Sequence, residues 1–159
     1  MTKAIVLPAT DAPYLVDLNS AADIHALVEG WFEILDLATP DATLWINDEA
    51  AIDGKSWNKH AMWLLVVHSV HPTTNPFLRG TMVLTGPMST NEDGLSDVDD
   101  YYVDLMFPSK RLTVHVQRAN SDEWIDMRMP FDTWRSAYNA ALNVQGAHED
   151  ITKFKVVPK

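Results

Sequence analysis

Apolar residues recur along this chain at two spacings, and the places where the spacing changes divide it into elements. "KAIVLP" and "YLVDL" are short apolar runs joined by "ATDAP", where Pro and Asp punctuate, and they predict a β-hairpin. In "NSAADIHALVEG" the spacing becomes helical: Ile24, Leu27 and Val28 share one face. Ser20 is placed to cap this helix, with Asp23 three residues on as in a capping box, and Gly30 ends it. "WFEILDL" alternates as a strand does, and "ATLWIN" is a second strand before an acidic turn at "DEAAIDG". Ser56 or Asn58 opens a short helix through "KHAMWLLVV", which is apolar nearly all round and therefore predicted to be buried. "HPTTNP" reads as a loop, and "RGTMVLTG" as a closing strand bounded by glycines.

These elements make a compact α+β unit over residues 1–88. Residues 89–100, "STNEDGLSDVDD", read as an acidic loop or linker. Three candidate strands follow, "YYVDLMF", "RLTVHVQR" and "EWIDMRM", with turns at Pro108-Ser109 and "ANSD". Asp132 then caps a helix in which Trp134, Ala137, Tyr138, Ala141 and Leu142 line one face, ending at Gly146. "KFKVV" adds a last strand. The predicted fold class is α+β: hairpin, helix, strands and short buried helix, then a three-strand plus helix extension over residues 101–159, packed on the first part.

At 159 residues the chain fits one domain with a substantial extension, long enough to build a core without staples. It has no cysteine, which excludes disulfide scaffolds and cysteine-ligated metal and suits a reducing cytosol. The apolar run 61–67 is too short to span a bilayer, and "MTKAIVLPATDAP" has no apolar core with a cleavage site. The expectation is a cytoplasmic protein away from membranes.

The formal charge of −10 argues against direct nucleic-acid binding, because neutralising phosphates requires clustered Lys and Arg. Its distribution changes the picture further. Residues 1–53 hold ten acids and one base, Lys3, and residues 92–104 hold six acids and no base. Between them, residues 54–86 hold no acid, three bases (Lys55, Lys59, Arg79) and three histidines (His60, His68, His71). Acids on solvated faces keep a protein soluble. The sharper account is an anionic face, carried by Asp41, Asp48, Glu49, Asp53, Asp97, Asp99 and Asp100, that meets a cationic partner.

Catalytic and metal-binding patterns are weak. His60 and His68 are eight apart, about 12 Å along a helix, too far for one metal ion. His60 is expected to cap the helix or face solvent, with His68 and His71 at the helix end. His25 and Glu29, four apart on the first helix, read as a solvated ion pair. His115 could meet Asp126 or Asp104 across a sheet in a general-base geometry, but no nucleophile accompanies it. There is no nucleophile elbow and no glycine-rich phosphate loop, and the twelfth position from Asn91 is Tyr102 where a calcium loop needs Glu. No catalytic residue, metal site or cofactor is assigned.

Of the six tryptophans, most are expected in the core. Trp57, between Lys55 and Lys59, is the exception, and with Asn58 and His60 it forms a candidate rim on which a nucleotide could stack.

"KAIVLP", "LVEGWFEIL", "LWINDEAAIDGKSWNKHA" and "RGTMVLTG" together resemble a family of small uncharacterised domains from actinobacteria, other Gram-positive bacteria and their bacteriophages. The resemblance covers about residues 1–88. The family keeps a Gly where this chain has "EAAID" and a Pro before its Asn where this chain has Ser56-Trp57. It implies a phage or mobile-element setting, in which small acidic accessory proteins bind and inhibit host components, and it carries over no catalytic residue.

Two functions follow as expectations. The first is a non-enzymatic accessory protein that binds a basic host protein, in nucleic-acid handling or defence, through its acidic surface. The second is a small-ligand or nucleotide binder using the rim around Trp57. Homodimerisation through a sheet edge or the second half stays open.

Overall fold

The computed structural model describes residues 1–69 and 78–159. The loop expected at "HPTTNP", with His71, lies outside the described residues. The chain divides into two compact units, Met1–Asp99 and Asp100–Lys159. Both are α+β, each built on one antiparallel sheet.

The first unit orders five strands as β2-β1-β5-β4-β3. They are β1 (Thr2–Leu7), β2 (Tyr14–Leu18), β3 (Phe32–Leu37), β4 (Ala42–Asn47) and β5 (Met82–Thr85). The predicted hairpin pairs Ala4 with Val16, and β4 is an interior strand buried along its whole length. Because side chains alternate across a sheet, Ala4, Leu18, Trp45 and Val83 fall on one face. There they meet Ile24 and Val28 of α1 (Ala21–Val28). Ile5, Leu7, Leu44, Met82 and Leu84 alternate with them and are equally buried.

Helix α1 begins as its sequence specifies. Ser20 and Asp23 form the capping box, Ser20 Oγ accepting from Ala22 N at 3.2 Å and Asp23 Oδ2 accepting from Ser20 N at 3.4 Å. Its end differs by one residue. Glu29 takes the left-handed conformation (φ 61°), and the Gly30 N–H reaches back to His25 O at 3.2 Å. Gly30 is required for a different reason: a Cβ there would stand 2.9 Å from the Asn47 amide.

Helix α2 (Lys59–His68) is capped by Asn58, and its burial departs from expectation. His60, Ala61, Leu64 and His68 turn inward, while Met62 and Val66 are exposed, so an apolar composition did not mean an all-buried helix. The inward histidines are held by backbone carbonyls, His60 Nε2 to Asp11 O and His68 Nδ1 to Ala38 O, each at 3.0 Å. His60 therefore neither caps nor faces solvent.

Burial pushes the His68 pKa down from 6.5, outweighing the opposing hydrogen bonds to the Ala38 and Thr39 backbone. The unfolded chain takes up this proton near its ordinary pKa and the native state resists it. The stability held above that pKa is therefore lost as the pH falls below it. His68→Gln is expected to flatten the fall in stability between about pH 7 and pH 5, measured by urea unfolding of both proteins. Parallel profiles would show that His68 titrates alike in both states.

Of the segment expected as an acidic loop or linker, residues 89–99 belong to the first unit. Asn91 forms a closed turn with Leu95, donating from Nδ2 to Leu95 O at 2.7 Å and accepting from Leu95 N at 3.1 Å. Leu95 joins the core beside α1, Gly86 N donates to Ser96 O, and Val98 N donates to Lys3 O at 2.9 Å.

The second unit is α3 (Asp100–Met106), β6 (Leu112–Arg118), β7 (Trp124–Asp126), α4 (Trp134–Ala147) and β8 (Ile151–Pro158), with strand order β7-β6-β8. "YYVDLMF" is thus a helix rather than a strand. Its aromatic content favours a strand, but Tyr102 and Leu105, three apart, are the buried pair, and Asp100 sits favourably in the first turn. The expected β-β-β-α order, with a last strand at "KFKVV", becomes α-β-β-α-β: the first element changes type and the last strand is β8. Helix α4 buries Trp134, Ala137, Tyr138 and Ala141 as predicted. Its cap is Thr133, whose Oγ1 accepts from Ser136 N, while the neighbouring Asp132 pairs with Arg111 at 3.1 Å; the helix runs one residue past Gly146.

Candidate functional site

The seven acids singled out in the sequence do not form one face. In the first unit β1 and β4 run parallel to each other, since both pair antiparallel with β5. Asp41 precedes β4 at the end where these strands begin. Asp97 Oδ1 accepts from Lys3 N at 2.8 Å, which puts Asp97 and the following Asp99 at that same lower end. Asp17, opposite Lys3, and Asp36, opposite Thr43, join them. These five carboxylates are exposed, and Lys3 lies among them, opposite Asp17. Asp48, Glu49 and Asp53 lie in the turn after β4, at the upper end. Asp100 opens α3 in the second unit.

Residues 1–99 carry fourteen acids against four bases, and residues 100–159 carry eight of each. The whole net charge therefore belongs to the first unit.

The rim around Trp57 is largely committed to structure. Asn58 is fully buried: Nδ2 donates to Leu7 O and Gly80 O, both at 2.8 Å, and Oδ1 accepts from Ala61 N at 3.0 Å. His60 is buried as described. Lys55 forms an ion pair with Glu29, which holds the Glu29 carboxyl below its usual range and pushes the ammonium up. The Arg79 guanidinium lies 4.4 Å from the centre of the Trp57 ring, so one aromatic face is already covered, and Arg79 also donates to Lys55 O. Lys59 is exposed.

Beside this rim is a polar cleft of about 210 Å³, lined by the loop after β1 (Thr10, Asp11), the end of α1, Asn47, Lys55, Ser56 and Thr81. Pockets that enclose ligands of nucleotide size are about 300–1,000 Å³ and mainly apolar. This one is smaller and polar. Its Asn47 amide is engaged, donating to Val28 O at 2.9 Å and to Glu29 O.

The tryptophan that faces solvent is Trp31, 74% exposed, against 38% for Trp57. It sits between Gly30 and β3, where the change from helix to strand turns one side chain outward. Its ring meets the edge of His25 at 4.9 Å. The expected His25–Glu29 pair is absent: His25 goes to Trp31, and Glu29 to Lys55.

In the second unit His115 and Asp126 are register partners, with Nε2 and Oδ2 3.9 Å apart. The carboxylate is otherwise occupied. Arg128 N and Thr113 Oγ1 each donate to Oδ1 at 2.7 Å and hold its pKa below the usual range. Lys155, opposite His115 on β8, crosses to Trp124 at 4.3 Å. Among the described residues no cluster of three or more His, Asp or Glu converges as metal ligands would. No described helix is long and apolar enough to cross a membrane.

An α+β domain on a five-stranded antiparallel sheet, carrying all of the chain's excess charge, is the class these features define. Residues 1–106 match the family described as Domain of unknown function (DUF3846), and the chain belongs to that family. The match includes all of the first unit and extends through α3. No curated protein and no solved structure matches the chain.

Proposed function

We propose that this protein is a non-enzymatic accessory protein of the phage type that binds a host protein with a basic surface. A nucleic-acid-handling or defence component is the kind of target this charge fits. One observation supports the reading above others: the net charge of −10 resides wholly in the first unit, all of which lies within the family match, while the second unit is balanced. A unit so charged draws a cationic cleft into contact and competes with nucleic acid for it. The polar, partly consumed cleft beside Lys55 favours the alternative, a nucleotide binder, much less.

The test is affinity capture from an actinobacterial lysate, the host setting that the family resemblance points to, with nuclease present. A single retained protein is expected at low salt and lost at high salt, because exposed charges are screened. Asp41→Lys with Asp48→Lys and Glu49→Lys should weaken the complex about tenfold or more, since juxtaposed like charges cost several kcal/mol. A complex indifferent to both salt and charge reversal would sink the reading.

A further inference from the structure

The upper end of the first sheet differs chemically from the lower. Asp48 N donates to Trp31 O at 3.1 Å, Asn47 Nδ2 donates to Val28 O and Glu29 O, and Lys55 pairs with Glu29. These bonds stitch the turn after β4 to the end of α1 as one ledge. The turn is itself built: Glu49 N donates to Asn47 Oδ1, Asp53 N to Glu49 O, and Lys55 N to the carbonyl of Ala50, which is buried. On this ledge Trp31 is 74% and Ile52 85% exposed, and Asp48, Glu49 and Asp53 of the same turn are exposed as well.

We infer that this ledge is the docking surface, with Trp31 and Ile52 as apolar anchors, and that the occupant is a basic amphipathic helix of a partner protein. The inference rests on the host-binding reading above and assigns it a place. Large rings that can be desolvated dominate interface energetics, whereas rim charges set encounter rate and salt dependence. Charge complementarity selects the partner. A second copy would bring three carboxylates against three, whereas a helix with an apolar stripe flanked by Lys and Arg satisfies both the anchors and the rim. The acids of the lower end are assigned long-range steering.

The test uses the full chain and a labelled synthetic helical peptide of leucine and lysine, with binding read by fluorescence anisotropy and stopped flow. Trp31→Ala and Ile52→Ala should each weaken binding about tenfold or more, through faster dissociation. Asp41→Lys with Asp97→Lys should slow association and leave dissociation unchanged. Trp31 and Ile52 are solvent-exposed, so both variants should fold, and circular dichroism verifies this.

Wild-type affinity in both anchor variants, with binding lost in the lower-end variant, would overturn the ledge and leave the acidic-surface reading standing. Failure of the wild-type chain to bind the peptide at low salt would overturn the ledge as a site for basic helices. A dimer by sedimentation that dissociates in Trp31→Ala would overturn the assigned occupant in favour of a second copy.

Discussion

Asn58→Ala is expected to lower the stability of the first unit by about 3–7 kcal/mol, the largest effect of any single side-chain truncation at the site. The side chain is fully buried and serves three backbone groups from three parts of the chain. Losing the cap of α2 costs about 1 kcal/mol. The carbonyls of Leu7 and Gly80 then lose a donor, and each buried group left unsatisfied costs about 1–3 kcal/mol. Asn58→Asp separates the contributions. It retains an acceptor for Ala61 N but turns an oxygen toward two carbonyl oxygens, so it should be at least as damaging as alanine. Urea unfolding followed by circular dichroism measures both. A loss below about 1 kcal/mol for alanine would show that water replaces the missing amide, and the bracket would not be structural.

Asn58 also shows why part of the site could not be read from sequence. That an Asn opens α2 is local information, and the chain displays it. That the same amide ties the end of β1 to the start of β5 is not local, because its partners lie 51 and 22 residues away. A polar residue beside a tryptophan and two lysines therefore resembled a binding rim, although its polarity is spent inside the fold. His60 follows the same logic, since its partner is the carbonyl of Asp11 in the loop after β1.

Elements governed by neighbours in sequence were legible. The capping box of α1 and the apolar face of α4 both rest on interactions within a few residues. The helix α3 was not, because its seven residues satisfy strand propensity locally and only the burial of Tyr102 and Leu105 three apart settles the period. Charge behaved in between. The excess of acid was plain in composition, but its division between the two ends of one sheet depends on strand direction. Pairing of β1 and β4 with β5 sets that direction, and periodicity does not encode it. Likewise the exposure of Trp31 over Trp57 follows from which residue the helix-to-strand turn pushes outward.

Gly86→Ala should be the second large effect, of about 3 kcal/mol or more, and it connects stability to charge. A Cβ at this position would land on the carbonyl oxygen of Asp97 and stand 2.5 Å from Ser96 Oγ. The obstacle is largely backbone, so a rotamer change cannot relieve it, and overpacking of this kind costs about 1–3 kcal/mol, occasionally more. The chain has one inexpensive response, which is to release residues 95–98 from the first unit. That withdraws Leu95 from the core beside α1, breaks the Gly86–Ser96 and Val98–Lys3 hydrogen bonds, and lets Asp97 and Asp99 leave the lower end of the sheet. Limited proteolysis should therefore cut Gly86→Ala within residues 89–98 much faster than the wild type, alongside the drop in urea midpoint. If those acids steer a basic partner, association with it should slow in the same variant even at temperatures where the fold persists. Unchanged cleavage together with a stability loss under about 1 kcal/mol would mean that the segment shifts as a body without detaching. The acidic loop would then be held by Leu95 and Val98 rather than by the close backbone approach at Gly86.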